Sequence, residues 1–397
     1  RIILTGGGTG GHLFPLVAVS RKINEISRDE NLGEPEIYYL GPSLFLENSL
    51  EREAMNFHSV ILMTGKWRRY FSFNNFIDLF KIGIGVIQAL WKVWVIMPDV
   101  IFSKGGYGSV AAVLAGWLYR VPIIIHESDS VPGLANRWLA PLATLIAVSF
   151  NEAVNYLPKN KTYFTGEAVR DSFFKPPEPE TERARLHLTT KKPVILVLGG
   201  SQGASKINDI ILDVLASLLE IAEVIHQTGD NNYNSVFKES RVILGGLTGE
   251  KLISYHPMNF LVESEYVAAM KAADLIISRT GAGSIFEIAA VGKASILVPI
   301  TDSSGDHSRR NAYIFANSGR AEVIEEANLT PNLLLSVVRS MLNNPEKRKM
   351  MEEKARHFAT PEAARLIAQA LLNLVSASRT SDLEDSYEDK EHNKRIF

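Results

Sequence analysis

The order of residues predicts two doubly wound α/β domains, and three observations carry that prediction. Short apolar runs alternate with helical stretches along most of the chain, the pattern of βαβ units in a parallel sheet. A strand, glycine loop and helix open the chain at residue 2, and the same succession starts again at residue 193. Between them, prolines and charges gather in FKPPEPETERARLH, which marks a boundary within roughly 165–190. A length of 397 residues agrees with two domains at ~100–200 residues each.

The first strand is Ile2 to Leu4. After the glycine loop, Leu13, Val17, Val19, Ile23 and Ile26 recur at helical spacing. EIYYLG, DVIFSKGGYGS, VPIIIHES and TLIAVSF supply the later strands of the first half. In the second half, PVILVLGGSQGASKINDIILDVLASLL is followed by EVIHQTG, KLISYHP, DLIISRTGAGSIFEIAAVG and ASILVPI. The helical segments PEKRKMMEEKARHFA and PEAARLIAQALLNLV close the globular part. SASRTSDLEDSYEDKEHNKRIF buries too little apolar surface to offset its ordering entropy, so residues 376–397 are expected to be disordered.

Composition removes several classes. The chain has no cysteine, which excludes a disulfide scaffold and a thiolate metal site and fits a reducing compartment. A net charge of −2 makes no case for nucleic acid. No signal peptide is visible, and residue 1 is Arg in a strand-like opening, so an upstream start is expected. The longest apolar stretch, Ile82 to Met97, is interrupted by Lys92 and falls short of the ~20 residues of a spanning helix.

Chemistry concentrates in four glycine loops, at residues 6–11, 105–108, 199–203 and 281–283. A strand-to-helix turn leaves unpaired backbone N–H groups and a positive helix end, and glycine lets a ligand approach them. Gly6, Gly8 and Gly11 fit G-x-G-x-x-G, but no Walker lysine follows. The second strand ends at Gly41, where a dinucleotide site needs an acid for the ribose. Loops at the strand ends of two facing domains would line one cleft. In the last of them, Glu287 stands in or near the first helical turn, suited either to a ribose diol or to the helix dipole. His12 sits where the first loop becomes a helix. An imidazole titrates near ~6.5, which suits a general base for a sugar hydroxyl and equally a histidine that only bonds backbone. No histidine pair has metal-ligand spacing, so no metal site is expected.

GGGTGGHLFP, FSKGGYGSVAAVLAGWLYRVPIIIHESDSVPGLANRWLA, GGSQGASKIN and SRTGAGSIFEIAAVGKASILVPI, in this order, resemble the peptidoglycan N-acetylglucosaminyltransferases over roughly residues 1–375. The resemblance implies a GT-B architecture, two Rossmann-like doubly wound parallel-sheet domains facing a cleft. It assigns residues 1–165 to an acceptor and membrane domain, 166–350 to a UDP-sugar domain, and 351–375 to helices that return to the first. It implies inverting transfer from UDP-N-acetylglucosamine to the 4-hydroxyl of an undecaprenyl-linked muramyl-pentapeptide, with no cofactor and no metal.

By motif, His12 is the implied base, and Thr9, Gly10 and Gly11 lie near the donor sugar and diphosphate. Asn136 belongs to the cleft motif, Arg170 to the diphosphate, and Ser201 to a phosphate. Leu261 offers backbone to uracil. Ala282, Gly283, Ser284, Ile285, Phe286 and Glu287 form the nucleotide site, with Glu287 on the ribose. Two positions depart from the family: Asp129 stands where relatives commonly have asparagine, and Ser308 where they have glutamine. A carboxylate accepts but does not donate hydrogen bonds, and serine reaches less far.

A lipid-linked acceptor requires a membrane surface. Residues 66–98 interleave aromatic and basic residues, with Trp67, Arg68, Arg69, Phe71, Phe76 and Phe80 as the expected contacts. Helical spacing puts Phe80, Ile84, Ile87, Trp91 and Trp94 on one face, and Asp78, Lys81, Gln88 and Lys92 on the other. An ordinary core-packing helix is the plainer reading of the same pattern. The expected location is the cytoplasmic face of the cell membrane, peripherally bound, with other cell-wall synthesis proteins as further partners. The alternatives are another GT-B transferase with a lipid acceptor, a UDP-N-acetylglucosamine 2-epimerase, an NAD-dependent dehydrogenase, and a non-catalytic membrane scaffold.

Overall fold

Two parallel sheets organise the chain. The computed structural model describes residues 1–43, 57–65, 73–200, 203–246, 248–301 and 304–381. Contacts divide it into one unit of Arg1–Arg170 together with the chain from Thr360, and a second of Asp171–Ala359.

The first unit holds strands β1 (Ile2–Thr5), β2 (Ile37–Gly41), β3 (His58–Ile61), β4 (Val100–Ser103), β5 (Ile123–Glu127), β6 (Leu145–Val148) and β7 (Thr162–Phe164). Their order is β3-β2-β1-β4-β5-β6-β7, and every pairing is parallel. Ile3 pairs with Tyr38 on one side and Ile101 on the other. Strands β1 and β4 are buried along their whole length, as continuous apolar runs in a parallel sheet require. Helices α1 (Gly10–Asp29), α2 (Phe73–Ile96), α3 (Val110–Leu118) and α4 (Leu134–Leu139) fill the crossovers. Helix α1 buries Leu13, Leu16, Val17 and Ile23, one face at helical spacing.

The second unit holds α5 (Pro179–Arg185), β8 (Val194–Leu198), α6 (Ser205–Ile221), β9 (Glu223–Gln227), α7 (Asp230–Gly245), β10 (Tyr255–Met258), α8 (Glu263–Ala272), β11 (Leu275–Ser278), α9 (Ala282–Val291), β12 (Ser295–Leu297), α10 (His307–Ala316), β13 (Glu322–Val323), α11 (Pro331–Leu342) and α12 (Pro345–Arg356). Its sheet runs β10-β9-β8-β11-β12-β13, again parallel. The chain then re-enters the first unit, where α13 (Ala363–Ser381) packs on α1 and β4.

These bounds adjust the expected division. The first passage ends at Arg170 rather than 165, and α12 stays with the second unit, so the return begins at Thr360 and not at 351. Helix α13 continues past 376, because Leu371, Leu372 and Leu374 of the same helix are buried and carry it outward. Residues 382–397 lie outside the described residues.

Each sheet reverses its strand order once, between β1 and β4 in the first and between β8 and β11 in the second. A doubly wound sheet binds ligands outside the strand ends at such a switch point. All four glycine loops of the sequence follow these four strands, so the local pattern and the topology select the same places.

Candidate functional site

In the first unit the site is built on His12. Thr9 is the N-cap of α1, and a threonine there ordinarily accepts from the backbone N–H of the third helical residue. That residue is His12, and the Thr9 hydroxyl goes instead to its ring, Oγ1 to Nδ1 at 2.9 Å. With Nδ1 as the donor, Nε2 keeps its lone pair. The N–H groups of Gly10 and Gly11 then have no side-chain cap, the condition for receiving an anion.

Two glycines leave space for the ring. A Cβ on Gly7 would stand 2.9 Å from Nδ1, and one on Gly106 would stand 2.9 Å from Nε2. Gly106 also has φ 77° and ψ 171°, a backbone state open essentially to glycine alone. Burial, and after it the Lys104 ammonium, lower the imidazole to about 4 against the opposite pull of Glu167. His12 is therefore neutral at pH 7, ready to accept a proton.

Beneath the loop lies a buried polar network. Lys104 follows β4, and its Nζ donates to Glu167 Oε1 at 2.6 Å, His126 Nδ1 at 2.6 Å and Ser128 Oγ at 2.5 Å. Glu167 Oε2 accepts from Ser149 Oγ at 2.6 Å. Since His126 accepts at Nδ1, its proton is on Nε2, which donates to the Gly166 carbonyl at 3.0 Å. Burial and the Lys104 charge lower His126 to about 4.

Glu127 accepts from the Asp129 and Gly133 backbone N–H groups and from Asn136 Nδ2 at 2.8 Å. Burial, and then the Asp129 charge, push Glu127 up to about 7. Asn136 is buried and bound to Glu127, with its Oδ1 against Gly105. A Cβ on Gly105 would run into that oxygen, so Asn136 packs directly against the second glycine loop. Arg170 is also buried, with its guanidinium 4.2 Å from the centre of the Phe14 ring. Gly41 ends β2 with the Tyr39 hydroxyl 2.5 Å from where a Cβ would be, so an acid for a dinucleotide ribose has no room there.

In the second unit, Gly281 caps α9 and the loop from β11 leads into it. Gly283, Ser284 and Glu287 form the more exposed side of the first two turns, while Ala282, Ile285 and Phe286 turn inward. Ile285 and Phe286 belong to the core, with the Phe286 ring 5.1 Å from that of Phe358, and the Ile285 N–H donates to the Gly281 carbonyl at 3.1 Å. Glu287 lies in the second helical turn, not the first, and Tyr266 of α8 donates to its Oε2 at 3.0 Å. Leu261 is buried as well.

Ser308 is buried; its Oγ accepts from the Ile300 N–H at 2.9 Å and pairs with Thr280 Oγ1 at 2.7 Å. The serine binds the β11 and β12 loops to the start of α10. Arg279 extends that frame through Glu326, which also accepts from the Thr301 N–H and hydroxyl. The sequence does not single out Tyr266, Thr280 and Arg279; Tyr266 stands in the first turn of α8, and Arg279 and Thr280 directly follow β11. Ser201 lies outside the described residues, as do Trp67, Arg68, Arg69 and Phe71.

Helix α2 corrects a face assignment. Asp78, placed with the lysines opposite the aromatics, is buried, and Gln88 Oε1 accepts from the Met63 N–H at 2.8 Å. The buried side carries the small residues Gly85 and Ala89 with Val93. The aromatic side faces out: Phe80, Ile87, Trp91 and Trp94 are all more than half exposed, beside exposed Lys81 and Lys92. The side chain of Phe76 lies outside the described residues. Among the described residues, no helix is long and apolar enough to cross a membrane, and no three histidine or acidic side chains gather as metal ligands.

Comparison with known proteins places these features. Residues 2–148 match the glycosyltransferase family 28 N-terminal domain, and residues 194–369 match its C-terminal domain. The chain is 36% identical to a Bacillus anthracis protein named UDP-N-acetylglucosamine–N-acetylmuramyl-(pentapeptide) pyrophosphoryl-undecaprenol N-acetylglucosamine transferase 2, over 89% of this chain and 95% of that one. A Geobacillus kaustophilus transferase of the same description is 37% identical, over 89% and 94%. In fold, the chain is similar to the crystal structure of Acinetobacter baumannii MurG, with a TM-score of 0.66 and 24% identity over 94% of this chain and 98% of that one. A Listeria monocytogenes structure described as a putative UDP-N-acetylglucosamine 2-epimerase has a TM-score of 0.68 at 14% identity, over 98% of both chains.

Proposed function

Because the chain belongs to the glycosyltransferase family 28 transferases that act between UDP-N-acetylglucosamine and N-acetylmuramyl-(pentapeptide) pyrophosphoryl-undecaprenol, we infer that it moves N-acetylglucosamine from the first to the second. The product is the lipid-linked disaccharide. The epimerases share the fold at low identity, while the transferases share the sequence along nearly the whole chain, which decides between the two readings.

The observation that best supports a mechanism is His12, neutral, oriented by Thr9, and bordered by glycine at both ring nitrogens. The muramyl 4-hydroxyl oxygen attacks C1 of the donor sugar. The bond from C1 to the UDP oxygen breaks, and UDP leaves with the electron pair. The hydroxyl proton passes to His12 Nε2. Attack opposite the leaving group inverts an α-linked donor to a β-linked product.

The second unit holds the nucleotide in this reading. N–H groups at the start of α9 take a phosphate, and Glu287, steadied by Tyr266, accepts from the ribose. Gly10 and Gly11 face the diphosphate, where Arg170 supplies positive charge and Ser201 a hydrogen bond. Asp129 faces the sugar, and Asn136 and Ser308 act by placing the loops around it. Developing charge on UDP is met by these fixed dipoles, the arrangement that most often dominates such catalysis.

The exposed aromatic side of α2 supports a peripheral membrane location on the cytoplasmic face. Contiguous apolar surface of this kind marks an interaction site, and its lysines suit an anionic leaflet. Phe80 belongs to this side, and Trp67, Arg68, Arg69, Phe71 and Phe76 extend the same reading.

The test supplies purified protein with labelled UDP-N-acetylglucosamine and the lipid-linked muramyl-pentapeptide, with and without EDTA, and with UDP-glucose and UDP-N-acetylgalactosamine as rivals. Label should enter the lipid from the first donor in either buffer. Conversion of UDP-N-acetylglucosamine to an isomer without acceptor, and no labelled lipid, would overturn the reading.

A further inference from the structure

Lys104 is a fully buried ammonium that the reaction above does not use, and all three of its protons are committed: to Glu167, His126 and Ser128. A buried lysine costs several kcal/mol unless it is paired, so its retention beneath the base loop calls for a role. These partners come from different strand ends. His126 is on β5, Ser128 just beyond it, and Glu167 beyond β7; Ser149, beyond β6, bonds Glu167 in turn. The Lys104 N–H donates to the Thr5 carbonyl at 2.8 Å, which adds the end of β1. The next residues are Gly105 and Gly106, and a Cβ on Gly6 would stand 3.3 Å from Lys104 Cβ. Both glycine loops that border His12 therefore rest on this one residue.

We propose that Lys104 is the positioning residue of the site: its buried ammonium ties the ends of β4, β5 and β7 together under the two glycine loops, with β6 joined through Glu167, and so fixes the place and the charge surroundings of His12. This rests on the reading of His12 as the base.

The charges that face His12 are Lys104 and Glu167, of opposite effect, with Lys104 the stronger. Those that face Lys104 are Glu167, Glu127 and Asp129. The His126 ring, neutral with its proton on Nε2, receives the ammonium without adding a charge. Of this ion pair, the cation thus acts on the imidazole more strongly than its compensating anion. Removing the cation must make His12 easier to protonate, and removing the anion must make it harder.

The experiment uses the full chain as Lys104→Met, Glu167→Gln and the double variant, with thermal melting to establish that each is folded. Glu167→Gln is nearly isosteric and keeps the test open should Lys104→Met fail to fold. The His12 imidazole is titrated by NMR, and kcat/KM is measured against pH. The titration midpoint should rise by about one unit or more in Lys104→Met, fall in Glu167→Gln, and lie between them in the double variant. The acid limb of kcat/KM should follow in the same order. Midpoints that stay at the wild-type value in folded variants would overturn the proposal, because a merely structural lysine would lower stability and activity without that order. Midpoints that move while the acid limb stays fixed would uphold the coupling and refute His12 as the base.

Discussion

Gly106→Ala is the sharpest perturbation of the site, since its two costs can be worked separately. The backbone at residue 106 has φ 77° and ψ 171°, and an alanine held there costs about 1–3 kcal/mol. For a unit of this size each kcal/mol lowers the midpoint by roughly 2–4 °C, so melting should fall by about 2–12 °C. The second cost falls on chemistry. The new methyl would stand 2.9 Å from His12 Nε2 and 3.4 Å from the Gly7 Cα, so the ring must yield by about half an ångström to restore ordinary contact. It would also occupy the approach that an incoming hydroxyl needs. A misplacement of about 1 Å costs about 10²-fold, so kcat should fall on the order of 10- to 100-fold. UDP affinity, which rests in this account on groups that the new methyl does not touch, should stay the same. Stopped transfer assays and calorimetry with UDP, run beside the melt, separate these terms. A folded Gly106→Ala protein with wild-type kcat would refute the placement of Nε2 as the proton acceptor.

Three further outcomes follow from the same geometry. Ser308→Ala removes the acceptor of the Ile300 N–H and the partner of Thr280, so the second unit should lose about 1–3 kcal/mol and UDP should bind several-fold more weakly by calorimetry. His226 is buried between Asn208 and Tyr255, and burial lowers it from 6.5 to about 3. Its unfolded form takes a proton first as pH falls, so its contribution is complete above 6.5 and is lost toward 3, with about 2 kcal/mol gone near pH 5. Melting of the second unit should decline over that range, and His226→Gln should flatten the decline. Trp91→Ala with Trp94→Ala should weaken sedimentation with anionic vesicles about tenfold or more, because one such side chain in lipid is worth about 1.5–3 kcal/mol.

Much of the fold was legible because βαβ order leaves a local signature. IILTGGG and PVILVLGG each announce a strand that opens on a glycine turn, and both strands stand inside their sheets, at the point where the strand order reverses. Residues whose work depends on distant partners were less legible. Lys104 reads as a solvated charge in FSKGGYG, and Glu167, the residue that makes its burial tolerable, is 63 positions away. Asp78 looks like the polar side of an amphipathic helix, yet it is buried while Lys81 and Lys92 stay exposed beside the aromatics, a division that periodicity alone does not register. Ser308 looked like a shortened sugar ligand, and its hydroxyl proved to be a brace between loops. Thr9 and His12 were readable as a pair only once the cap was known to be spent on the ring.

The central claim is that His12 takes the acceptor's proton, and one measurement reaches it most directly. In His12→Ala, transfer of N-acetylglucosamine to the lipid-linked acceptor should fall by about 10²- to 10⁴-fold at pH 7, with UDP-N-acetylglucosamine still bound at wild-type affinity. Transfer by that variant at close to the wild-type rate would contradict the account.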